Sequence, residues 1–197
     1  MTQTEPIRML AVSASMHRAS VTRTVMEFVA ERLRQQGCFV DVLDLSSEPL
    51  PLFNPDTSFD ADYYQDLRRR VVGADVFILG TPDYHGSMSS ALKNFLDHFW
   101  KEFSGKLFSS VVASHEKGLT VTDHIRTVAR QCYAWSMPYG VSFMEKEDVQ
   151  GGEILSASFR SRLEMFTRDV RVYGEVLSKQ RQADLAGTDP GFLARLR

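Results

Sequence analysis

Two short stretches of this 197-residue chain concentrate side chains able to hold a charged or planar ligand. The first, Ser13-Ala14-Ser15-Met16-His17-Arg18-Ala19-Ser20-Val21-Thr22, sets hydroxyls around a histidine and an arginine. It follows the apolar run Ile7 to Val12 and precedes a segment in which Val21, Val25, Phe28, Val29 and Leu33 recur at spacings of three and four. A loop between a buried strand and a helix start offers backbone N–H groups and the positive end of the helix dipole, so hydroxyls and one or two cations placed there suit a phosphate. The same serines also read as ordinary turn residues, with Ser20 as the helix N-cap. The second stretch, Gly80-Thr81-Pro82-Asp83-Tyr84-His85-Gly86-Ser87, joins a rigid proline, an aromatic ring, a flexible glycine and a capping serine. That mix suits a shelf for a flat ring, or a plain strand-to-helix turn.

Other chemistries find less support. The five histidines, His17, His85, His98, His115 and His124, form no i, i+4 pair, so no metal site is expected. Gly86-Ser87-Met88-Ser89 lacks the G-x-S-x-G of a hydrolase elbow. Cys38 and Cys132 are too far apart for a CxxC spacing and read as reduced, buried thiols. Arg68-Arg69-Arg70 reads as a solvated helix face. With 23 Lys+Arg against 25 Asp+Glu the chain has no basic field to hold a nucleic acid. No apolar run approaches the ~18 residues of a membrane span. The start, MTQTEP, has neither a basic nor an apolar leader region, so a cytoplasmic location with no membrane partner is expected.

The elements that must position these loops follow from periodicity. Strands are expected at Ile7 to Val12, Cys38 to Leu45, Val76 to Leu79, Leu107 to Ala113 and Tyr139 to Phe143. Helices are expected from Val21 to Leu33, Tyr63 to Val72, Ser87 to Phe103, Leu119 to Trp135 and Phe159 to Leu177. Strand and helix alternate five times, which calls for a five-stranded, doubly wound parallel α/β sheet with helices on both faces. One domain over residues 1–179 is expected, with 180–197 as a tail or partner arm. In such a sheet ligands bind at the carboxyl ends of the strands, near the point where strand order reverses.

Thr81-Pro82-Asp83-Tyr84-His85-Gly86-Ser87, followed by Leu92-Lys93-Asn94-Phe95-Leu96-Asp97, resembles the TPEYN-S…LKNALD signature of the NADPH-dependent FMN reductase family. Ser15, Ser20 and Thr22 match that family's S-x-R-x-x-S-x-N/T phosphate motif, with His17 where arginine is usual and Arg18 one place away. Pro51-Leu52-Phe53-Asn54-Pro55-Asp56 and Phe103-Ser104-Gly105-Lys106 fit as well. After the fourth strand the chain offers Ser114-His115-Glu116-Lys117-Gly118-Leu119 with one glycine, where the family is glycine-rich.

The resemblance implies a flavodoxin-like fold, FMN and NADPH as cofactors, and a homodimer or homotetramer. It assigns Ser15, His17, Ser20 and Thr22 to the FMN phosphate, with Ser13 and Val21 beside them. Pro82, Asp83, Tyr84, His85 and Gly86 fall to the ring and ribityl region, with Ser114 and Gly118 as further contacts. The implied activity passes electrons from a nicotinamide donor through FMN to a small acceptor such as flavin, a quinone or an azo compound. The alternative is a non-catalytic FMN-binding electron carrier or redox sensor. A phospho-acceptor domain on the same fold would want paired carboxylates where this chain has Ala11, Val12 and Ser13.

Overall fold

Strands that are apolar on both faces must be covered from both sides, and that requirement sets the layers here. The computed structural model describes residues 5–115 and 118–197. β1 (Arg8–Ser13), α1 (Val21–Gln35), β2 (Phe39–Asp44), α2 (Asp62–Gly73) and β3 (Val76–Tyr84) form the first half. β4 (Ser87–Met88), α3 (Ser90–Asp97), β5 (Leu107–Ala113), α4 (Leu119–Gln131), β6 (Trp135–Ser136) and β7 (Val141–Phe143) follow. A short helix α5 (Glu145–Asp148), a hairpin of β8 (Val149–Gln150) and β9 (Glu153–Ile154), and the long α6 (Ala157–Ala186) complete the order. The parallel sheet runs β2-β1-β3-β5, and β6 and β7 pair with successive parts of β5 to share the fifth lane. This is the flavodoxin-like doubly wound sheet expected from the sequence. α1 and α6 cover one face through residues such as Val29, Leu33, Leu163 and Phe166. α2, α3 and α4 cover the other through Leu67, Leu92, Phe95 and Ile125.

Four elements differ from the periodicity reading, each for a local reason. β3 runs past Leu79 to Tyr84. Gly80 turns its carbonyl to Ala14 N–H on the β1 side, so Pro82, two residues on, faces a side where β1 has ended and its missing N–H leaves no gap. The helix expected from Ser87 to Phe103 is three pieces. Ser87 and Met88 return along β3, Ser89 caps α3, and Trp100 (φ −139, ψ −70) breaks the chain before a 3-10 turn at Lys101–Phe103. Phe95 and Phe99 are therefore core, while Trp100 is exposed. α4 stops at Gln131, and the fifth lane is split around Met137–Gly140, where Pro138 has no N–H to donate. α6 runs on to Ala186, beyond the expected end at Leu177, because polar bonds dock its last turns: Ser178 Oγ donates to Asp75 Oδ1 at 2.8 Å and Arg181 Nε to the Ser104 carbonyl at 2.9 Å. Residues 180–186 are thus helix, and a 3-10 turn at Phe192–Leu196 buries Leu193.

Lys106 is a buried cation in the scaffold. Its Nζ donates to the Val71 carbonyl at 2.8 Å and the Val72 carbonyl at 2.9 Å, capping the last turn of α2. Burial pushes its ammonium down to about 7, with the Arg181 guanidinium acting in the same direction and Asp75 and Glu102 opposing it. An unfolded lysine keeps its proton to about pH 10.4. Between pH 7 and 10 the unfolded chain therefore binds more proton than the folded one, and this group's contribution to stability rises with pH. The thiols of Cys38 and Cys132, both pushed up to about 11 by burial, act oppositely at the alkaline end. Comparison with Lys106→Met cancels the thiols. The urea midpoint of the parent is expected to rise relative to that of Lys106→Met from pH 7 to pH 9; a constant gap would mean that the α2 carbonyls keep the ammonium charged.

Candidate active site

β1 ends at Ser13, a buried residue whose Oγ has no hydrogen-bond partner among the described residues. An unpaired buried hydroxyl costs about 1–3 kcal/mol, and this one lies at the base of the β1–α1 loop. Above it, Ser15, His17, Ser20, Val21 and Thr22 line a cleft of about 220 Å3. Ser20 is also the N-cap of α1, its Oγ accepting the Arg23 N–H at 3.1 Å. The first turn of α1 carries no acidic residue to repel an anion. Arg23 is engaged elsewhere: its Nε pairs with Asp44 Oδ2 at 2.7 Å, and its other nitrogens hold Ser46 Oγ and the Arg18 carbonyl. Of the loop's histidine and arginine, His17 lines this cleft and Arg18 lines a separate one.

The opposite wall comes from the end of β3. His85 (φ 57) and Gly86 (φ 76) both take left-handed backbone, the geometry of a two-residue type I′ hairpin joining β3 to β4. Glycine suits its place there, whereas His85 accepts some strain. Asp83 braces the turn. Its Oδ1 accepts the Gly86 N–H at 2.8 Å and its Oδ2 accepts the Ser114 hydroxyl at 2.9 Å, tying the loop after β3 to the loop after β5. Pro82, Asp83, Tyr84 and Ser114 line the same 220 Å3 cleft.

Asp83 also lines a second, wider cleft of about 690 Å3, with Gly118, Thr120 and the loop after β7. Its far wall is Arg162 of α6, whose Nη1 donates to the Ser142 carbonyl at 3.0 Å and whose guanidinium lies 5.2 Å from the Phe159 ring centre. The structure thus brings Ser15, His17, Ser20, Val21, Thr22, Pro82, Asp83, Tyr84 and Ser114 into one cleft and joins Gly118 to it across Asp83. Ser13 lies beneath the loop, and His85 and Gly86 form the hairpin tip outside both clefts. Glu116 and Lys117 lie outside the described residues. Sequence reasoning missed Glu145, Ser142, Asp148 and Arg162, because it searched the loops after the first, third and fourth strands. The carboxyl end of the fifth was the available signal.

A family model of NADPH-dependent FMN reductases matches residues 7–148, which contain both loops. The chain belongs to that family. FMN and NADPH are accordingly the cofactors of this reductase, an FMN-dependent NAD(P)H oxidoreductase. An FMN-dependent NADPH-azoreductase of Staphylococcus aureus is 26% identical over 165 residues, covering 77% of this chain and 86% of that protein. Among solved structures, the apo form of an NADH:FMN oxidoreductase has a TM-score of 0.71 at 16% identity, covering 85% of this chain and 89% of its own. FerB, an NAD(P)H:(acceptor) oxidoreductase from Paracoccus denitrificans, has a TM-score of 0.71 at 17% identity, covering 86% and 97%. Both share the fold of this reductase.

The donor set fits FMN. A hydroxyl-rich loop at a helix start, an imidazole facing inward and an unpaired buried hydroxyl beneath suit a phosphate monoester. Because Asp83 ties the hairpin after β3 to the loop after β5 by two hydrogen bonds, Asp83→Ala is expected to weaken FMN binding by about tenfold, the scale of one or two lost bonds. Asp83→Asn, which can still accept from Gly86 N–H, should recover most of that affinity. Flavin fluorescence titration measures it.

Proposed function

We propose that the 220 Å3 cleft takes the phosphate and ribityl chain of FMN, and that Pro82, Asp83, Tyr84 and Gly118 carry its ring. The wider cleft beyond Asp83 admits the nicotinamide and then the acceptor. The observation that carries this reading is that Asp83 lines both clefts, so a ring on the shelf is reached from the phosphate side and from the 690 Å3 side. Bound FMN supplies the two-electron chemistry that links nicotinamide to acceptor. The chain's own residues bind and orient: the α1 start and His17 hold the phosphate, and the Asp83–Ser114 bond sets the shelf. Arg162 meets anionic groups of donor or acceptor. Free flavin, a quinone or an azo compound is the acceptor class, and the azoreductase relative supports the last.

The same reading places the enzyme in the cytoplasm as a homodimer. Among the described residues no helix is long and apolar enough to cross a membrane. Tyr84 and Leu119, both exposed beside the clefts, are the side chains a second subunit would cover.

Purified protein is expected to show the absorption bands of bound FMN and to bleach on anaerobic addition of NADPH, with reoxidation by an azo dye or a quinone. A yellow protein that NADPH leaves unbleached would instead be an electron carrier or sensor. Ser20→Ala should weaken FMN while leaving riboflavin affinity nearly unchanged, and should cost about 1 kcal/mol of stability from the lost cap. Equal losses for both flavins would overturn the phosphate assignment.

A further inference from the structure

Four aromatic side chains stand half exposed at the end of the sheet away from the flavin loops: Trp100 at 58%, Tyr133 at 52%, Trp135 at 50% and Phe192 at 44%. Trp135 is in register with Leu107, the first residue of β5, whereas Ser114 and Gly118 follow its other end. Scattered exposed apolar residues need no explanation, but a contiguous patch does. Tyr133 and Phe192 stack at 6.3 Å, and Trp135 meets Phe192 edge-on at 6.3 Å. Tyr133 and Phe192, with Trp100, Lys101 and Arg195, line a groove of about 640 Å3, a size within the ordinary range for small-molecule sites, and Trp135 backs it through Phe192.

The walls of this groove are held in place. Leu193 is buried against Gly105, whose left-handed backbone (φ 75) brings no Cβ into its way. Gly105 N–H donates to the Tyr133 carbonyl at 2.8 Å, and Tyr133 itself stays at φ 56, a strained backbone for a bulky residue. Trp100 Nε1 donates to the Gln131 carbonyl at 3.1 Å, and Arg197 Nη2 to the Asp184 carbonyl at 2.9 Å. The charge at the rim is positive and unmatched. Glu102, next to Lys101, is engaged by Arg68 at 3.0 Å, and Lys101 and Arg195 make no ion pair among the described residues.

We propose that this groove binds a planar aromatic anion, a carboxylate or sulfonate, at a site separate from the flavin cleft. Its ring lies against Trp100, Tyr133 and Phe192, and its charge faces Lys101 and Arg195. Preformed aromatic walls lower the ordering cost of binding, and the two cations select for the anion over a neutral ring.

The protein carries its own reporter. It has two tryptophans, Trp100 and Trp135, and both belong to this patch. Titration of the FMN-loaded protein, without nicotinamide, by 4-nitrobenzenesulfonate is expected to quench tryptophan emission saturably. Its dissociation constant should be about fivefold below that of uncharged 4-nitrobenzamide, the scale of two solvent-exposed ion pairs. Lys101→Ala with Arg195→Ala should erase that difference, and Phe192→Ala should weaken both probes, with bound-FMN absorbance unchanged in every variant. Quenching that stays linear, or a preference for the sulfonate that survives loss of both cations, would overturn the proposal. So would sedimentation showing a dimer that Phe192→Ala dissociates, since the groove would then belong to a second copy of the chain.

Discussion

Ser89 is the point on which the site's geometry depends. Its hydroxyl donates to the Ala14 carbonyl at 2.7 Å and accepts the Leu92 N–H at 3.2 Å, while its own N–H donates to Thr81 Oγ1 at 2.9 Å. These three bonds join the β1–α1 loop, the end of β3 and the start of α3 where the strand order reverses. Backbone groups at strand ends have lost their ladder partners and, when buried, must find others. A buried serine that satisfies several at once fixes the distance between the β1–α1 loop and the end of β3. Asp83 extends the same logic outward to the loop after β5.

Charge is arranged around that frame by removal more than by addition. The protein is nearly neutral overall, and the arginine nearest the β1–α1 loop within α1 is tied to a carboxylate, Arg23 to Asp44, as Arg70 is to Asp41 and Glu48. Among the described residues no lysine or arginine lines the 220 Å3 cleft. A phosphate there would be held chiefly by backbone N–H groups and hydroxyls, with His17 as the inward imidazole. The donors are neutral and fixed by the fold, so they are little affected by the salt that screens exposed charges.

Part of the family signature is scaffold. Asn94 of the Leu92-Lys93-Asn94 motif accepts the Phe53 N–H at 2.8 Å and donates to the Pro51 carbonyl at 2.9 Å, so it pins the proline-rich loop that belongs to the same signature. Lys106 of the Gly105-Lys106 pair caps α2. Asn94 and the proline-rich loop thus brace one another across 41 to 43 residues of sequence, and neither they nor Lys106 line the clefts.

The sequence by itself determined the layer order, the five parallel lanes and the two loops that face one another, because buried strands, amphipathic helices and loop chemistry are written in local spacing. It also carried both readings of Ser20, which is a cap and a cleft residue at once. Only the tertiary structure decided that Arg23 is unavailable, that His17 and not Arg18 faces the cleft, and that Asp83 serves two clefts. It likewise placed Arg162 of α6 on the far wall, and showed that residues 180–186 continue a helix whose docking is polar and so leaves no hydrophobic period to read. Each of these depends on partners separated by tens of residues, which local patterns do not encode. The wall that a side chain faces was settled by packing across the sheet, after the elements themselves were already specified.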